Sequence, residues 1–220
     1  MLTPLFALPS PFEIELGTVK LLEPPESDAT ALTAQLLKGV YPKPFLIEHE
    51  GLLSLYFSLS LVQSTMQINK PDVLDLAYTQ KMMAFLPFYP RPKALLLLGM
   101  GGGSLAKFCY RHLPRADITV VEIDPNVIAF RDAFQVPQDN DRFRIFCADA
   151  AAYIRTHEAR TDIIMVDAFD GLGIAPELSS PDFYAEAYRA LSANGILVMN
   201  LAGDKAGFED PLAQLAHVFD

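Results

Sequence analysis

The chain predicts an α/β fold, a doubly wound and mostly parallel sheet preceded by a small β-rich N-terminal subdomain. Three features point to it. From about residue 94 onward, short apolar runs alternate with stretches of helical period, the pattern of strand–helix–strand crossovers. The first run, Ala94-Leu95-Leu96-Leu97-Leu98, breaks into Gly99-Met100-Gly101-Gly102-Gly103-Ser104 and resumes as a helix. Finally, Ile163-Ile164-Met165-Val166 is apolar at every position, as a central strand covered on both faces should be.

Residues 1–70 form the expected β-rich subdomain. Phe12-Glu13-Ile14-Glu15-Leu16 alternates at strand period, and Leu52 to Leu59 is a largely apolar run of strand length. Pro24-Pro25-Glu26-Ser27-Asp28 reads as a loop, and Ala29 to Leu37 is ambiguous between helix and strand. Gln63-Ser64-Thr65-Met66-Gln67 is expected as a polar loop after a strand. Residues 71–220 form the second unit. Pro71-Asp72 opens a helix through about Leu86, closed by Pro87, Pro90 and Pro92. Strands are expected near 94–98, 118–122, 143–147, 162–167 and 195–201. Helices are expected near 104–113, 126–134, 149–157 and 181–192. A sheet of this type usually continues with a further antiparallel pair, so the sequence reads as either a shortened sheet or a truncated one.

Apolar residues make up 51% of the 220 positions, enough for a packed interior and too many for a disordered chain. The net charge of −10, from 27 acids against 17 bases, leaves no basic stripe for a nucleic-acid backbone. No apolar run approaches membrane-spanning length, and Met1 to Phe12 lacks the basic start of a signal peptide. Cys109 and Cys147 have no metal-like spacing and read as small buried apolar residues, which fits a reducing cytoplasm. The four histidines are scattered, so no metal site is expected.

The chemistry gathers where such a sheet binds ligands, beyond the carboxyl ends of its strands. Gly99, Gly101 and Gly103 allow positive φ and leave no Cβ between backbone and ligand, while the following helix points its free N–H groups into the turn. Glu122, about twenty residues past the glycines, stands where ribose hydroxyls are accepted. Asp124, before Pro125, suits a helix N-cap better. Asp149 is open between accepting from an exocyclic amine and capping the next helix. Asp167 and Asp170, three residues apart at the mouth of a central strand, suit a cationic partner.

Together these residues resemble the spermidine synthases, the polyamine aminopropyltransferases. The matching pieces are the glycine turn, Glu122-Ile123-Asp124, Ala148-Asp149, Asp167-Ala168-Phe169-Asp170, Phe183-Tyr184, Leu191-Ser192-Ala193-Asn194-Gly195-Ile196-Leu197-Val198 and, upstream, Tyr78-Thr79-Gln80. The resemblance runs from about Leu52 to Leu201. It implies a Rossmann-like sheet of the methyltransferase type and a sulfonium donor in the cradle. Glu122 and Asp149 would hold the donor's adenosine. Asp167 would orient and deprotonate the attacking amine, with Asp170 and Tyr78 beside it. Gln63 is a candidate contact for the donor's methionine end. Three positions depart from the family pattern: Gly102 stands for an aspartate that meets the donor's amine, Gln80 for an acid, and Gly171 for a proline.

The expected activity is therefore aminopropyl transfer from decarboxylated S-adenosylmethionine to a diamine such as putrescine. Methyl transfer from intact S-adenosylmethionine, or a non-catalytic relative, are the alternatives. A nicotinamide-dependent oxidoreductase fits less well, because Ser104 occupies the third glycine position of that fingerprint. The expected partners are a small amine and a second copy of the chain in a homodimer, with no nucleic acid and no membrane.

Overall fold

A computed structural model of the chain describes residues 5–59, 61–168, 175–201 and 209–219. The N-terminal part is a five-stranded antiparallel meander of β1 (Phe6–Pro9), β2 (Thr18–Leu21), β3 (Phe45–His49), β4 (Leu52–Ser58) and β5 (Leu61–Gln67). The β3–β4 turn uses Glu50 and Gly51, both at positive φ, the two-residue turn whose twist matches its strands. Helix α1 (Ala29–Leu37), N-capped by Asp28, resolves the ambiguous segment; it lays Leu32 and Leu36 on Val19, Leu21, Phe45 and Ile47. Leu46, of opposite pleat, faces the other way and joins Leu53, Leu55 and Met66 against the second sheet.

That second sheet is wholly parallel. Its strands β6 (Ala94–Leu98), β7 (Asp117–Glu122), β8 (Phe143–Cys147), β9 (Thr161–Val166) and β10 (Leu191–Met199) lie in the order β10-β9-β6-β7-β8. The chain winds outward from β6 in one direction, then returns to build β9 on its other side. This leaves a crevice at the carboxyl ends of β6 and β9. Leu95 and Leu97 pack with α3 (Ser104–His112) and the first sheet, while Leu96 and Leu98 pack with α5 (Ala150–Thr156) and α6 (Pro181–Ala190). Both faces of β6 are thereby dry, which is why its sequence shows no alternation. The remaining helices are α2 (Ala77–Met82), which runs into a 3-10 turn at Met83–Phe85, α4 (Pro125–Ala129) and α7 (Glu209–Phe219). Among the described residues no helix is long and apolar enough to cross a membrane.

Several expectations are corrected. Residues 12–16 are the β1–β2 connection rather than a strand: Phe12 is buried, but Ile14 is 86% exposed and Leu16 58%. The neighbouring prolines and the Ser10 hydroxyl, which donates to the Glu15 carbonyl, shape a loop there. Gln63 to Gln67 is strand β5, not a loop; its alternation is hidden because Ser64 and Thr65 are buried polar residues. The helix expected over 71–86 begins only at Ala77, since Pro71-Asp72 forms a turn closed by Val73 N–H on the Lys70 carbonyl. Helix α4 is short, ending at Ala129 where residues 126–134 were expected, and continues as turns. Cys109 is buried as expected, but Cys147 is exposed, at the end of the edge strand β8.

Candidate active site

The turn after β6 is shaped by three glycines at positive φ, Gly99 (+99°), Gly101 (+51°) and Gly103 (+68°). Gly99 passes directly under the end of β9, and Gly103 takes the left-handed N-cap of α3, where a Cβ would meet Val136. Glu122 pins the turn from the end of β7. One carboxylate oxygen accepts from the Met100 N–H at 2.9 Å and the other from the Asp124 N–H at 2.9 Å. Each oxygen keeps a second lone pair, so the carboxylate can still accept from a diol. Asp124 itself caps α4 by accepting from the Asn126 N–H. Of the two roles open for Asp149, the cap is present: one oxygen accepts from the Ala152 N–H at the start of α5, while the residue also lines the crevice.

Asp167 stands at the end of β9. The Tyr78 hydroxyl, on α2, donates to one of its oxygens at 3.2 Å, and the Asn200 amide donates to the other at 2.9 Å. Burial holds the Asp167 carboxyl above the ordinary carboxylate range, and the two donors pull it partway back. Burial, together with the Asp167 charge, holds the Tyr78 phenol protonated, so that it donates.

These groups surround one cavity of about 350 Å³, the size of a small-ligand site. Gln63, Tyr78, Gly99, Gly101, Glu122, Asp149 and Asp167 all line it. Gly103 does not; its role here is backbone geometry and packing. Asp170 and Gly171 lie outside the described residues. Gln80 is exposed, and its amide donates to the Leu74 carbonyl at 2.8 Å, away from the cavity. At Gly102 a Cβ would lie 2.6 Å from Ser64 Oγ and 2.8 Å from the Phe134 ring, so that position is sterically closed. Sequence reading missed Asn200, although a polar residue just past β10 was a usable signal, and it missed Thr79, Glu177 and Leu178 in the cavity wall.

Fold and site define a Rossmann-like α/β protein with an acid-lined crevice at the switch point of a parallel sheet. The chain belongs to the spermine/spermidine synthase family: the spermine/spermidine synthase domain matches residues 76–214. It is 39% identical over 181 residues to the polyamine aminopropyltransferase of Chromobacterium violaceum, an alignment covering 81% of this chain and 69% of the relative. It is 36% identical over 186 residues to that of Neisseria meningitidis serogroup A, covering 83% and 70%. Among solved structures, a probable spermidine synthase from Corynebacterium glutamicum shares the fold with a TM-score of 0.71 at 19% identity, over 80% of this chain and 68% of that one. Human methyltransferase-like protein 13, solved with SAH, matches with a TM-score of 0.59 at 29% identity, over 66% and 73%.

Proposed function

We propose that this chain transfers an aminopropyl group from decarboxylated S-adenosylmethionine to a primary amine such as putrescine. The observation that carries the reading is Asp167: a partly buried carboxylate, held by Tyr78 and Asn200, at the strand end beside a glycine turn that Glu122 braces. Glu122 and Asp149 offer acceptors for the donor's ribose and base, and Gln63 lies across the turn for its tail.

The amine nitrogen bonds to the aminopropyl carbon next to the sulfonium while the carbon–sulfur bond breaks toward sulfur. Methylthioadenosine leaves as a neutral thioether, and the proton lost from nitrogen passes to Asp167. A carboxylate raised by burial is a better base for this than a solvated one, and its position fixes the angle of attack.

Methyl transfer from intact S-adenosylmethionine is the second reading, favoured by Gly102, where no acid meets the donor's tail. Calorimetric titration with both donors, followed by product analysis with putrescine, separates the two. Tighter binding of the decarboxylated donor and an aminopropylated product support the first. Preference for the intact donor without aminopropylated product overturns it.

A further inference from the structure

Lys107 sits in the second turn of α3, directly behind the glycine turn, and is only 4% exposed. Its ammonium donates to the Phe134 carbonyl at 2.8 Å, lies 3.0 Å from the Met66 sulfur on β5, and stands 5.6 Å from the centre of the Phe134 ring. None of these contacts is a carboxylate. Among the described residues the charge that acts on it is Asp72, on the turn before α2, itself 3.9 Å from Arg111 and from His112. A buried ammonium without a directly paired anion is costly, so its presence calls for what it holds in place.

What it holds converges on Gly102. The ring of Phe134 and the hydroxyl of Ser64 occupy the space a Cβ at 102 would need. Ser64 is two residues from Met66 on the same strand and, like Gln63, lines the cavity. Behind it, the Ser104 hydroxyl donates to the Thr65 carbonyl at 3.4 Å, a weak second tie between α3 and β5.

We propose that Lys107 is a positioning residue of the donor site, whose ammonium draws the Phe134 segment and strand β5 around Gly102 and so shapes the end of the cavity that takes the donor's aliphatic tail. This rests on the adenosine lying at Glu122 and Asp149, which leaves the Gln63–Ser64 end for the tail. The clamp acts on one end of the cavity, so its loss should be felt by ligands that reach that end and not by those that stop short of it.

The test is calorimetric titration of the whole chain with decarboxylated S-adenosylmethionine and with methylthioadenosine, which has the same nucleoside but no aminopropyl tail. Lys107→Met keeps length and apolar packing and removes the ammonium. It should weaken the tailed ligand about tenfold, the size of one lost charge-assisted hydrogen bond, and methylthioadenosine by less than about twofold. Equal weakening of both ligands, or of neither, overturns the proposal. Should Lys107→Met fail to fold by circular dichroism, Phe134→Leu keeps the ammonium but withdraws the ring from Gly102, and the same ligand-selective loss is expected. An unchanged affinity ratio there overturns the clamp. Wild-type protein that binds neither nucleoside overturns the donor-site reading itself and the clamp with it; wild-type protein that binds both, with variants that behave alike, removes only the clamp.

Discussion

A Cβ on Gly99 would stand 2.2 Å from the carbonyl oxygen of Asp167, so the turn that forms one wall of the cavity and the strand end that carries its central carboxylate touch backbone to backbone. Gly99→Ala combines that overlap with a positive φ. It should destabilise the chain by about 3 kcal/mol, from strain and overpacking together. A urea midpoint unchanged from wild type would show that the turn can move away at no cost.

Asp167→Asn preserves shape and loses the base. It should leave the affinity for either nucleoside largely intact while slowing transfer by about a hundredfold or more. Calorimetry and product formation read the two separately, and near-normal turnover would take Asp167 out of the chemistry.

Tyr78→Phe removes one of the two donors that pull the Asp167 carboxyl downward. Its pKa should then rise further above the ordinary carboxylate range. Because the ionised form is the base, the acid limb of kcat/KM should move to higher pH, and activity near neutrality should fall about tenfold. An acid limb that stays put, or moves to lower pH, would contradict this.

Burial pushes Lys107 down to about 7, whereas in the unfolded chain it titrates near its ordinary, much higher value. Between the two, the unfolded chain binds more protons, so this residue makes folding more favourable as pH rises above about 7 and less favourable as pH falls through it. Urea titrations of wild type and Lys107→Met across that range should therefore differ in slope, with the variant flatter. Parallel curves would mean that Lys107 titrates normally.

The parallel half was legible because its strands are buried on both faces and so are written as unbroken apolar runs, Leu95 to Leu98 and Ile163 to Val166. Strand ends then located the carboxylates: Glu122, Asp149 and Asp167 line one cavity, as their places after strands implied. The antiparallel half misled for the converse reason. Phe12, Ile14 and Leu16 alternate like a strand, yet two of the three face outward in a connecting loop. Strand β5 hid behind the polar residues Gln63, Ser64 and Thr65, which are placed there to face the cavity and Asp75 rather than lipid-like packing: the Thr65 hydroxyl and Gln67 amide donate to Asp75 at 2.8 Å and 2.9 Å. Lys107 could not be found by pattern at all, since nothing in a lysine's neighbours in sequence says that its ammonium meets a carbonyl from residue 134.

Gly102 differs from Gly99, Gly101 and Gly103 in lacking a positive φ; only the space taken by Phe134 and Ser64 forbids a side chain there. Whether an aspartate fits at that position therefore depends on what its neighbours give up. Gly102→Asp alone meets both the ring and the Ser64 hydroxyl and should lower stability. With Phe134→Ala the ring is gone and only the Ser64 hydroxyl must turn aside, so the pair should lose less than the sum of the two single changes, as thermal melts of the single variants and the pair can check. Two residues thirty-two positions apart in sequence thus share one volume: while the ring stays, the turn has no room for an acid.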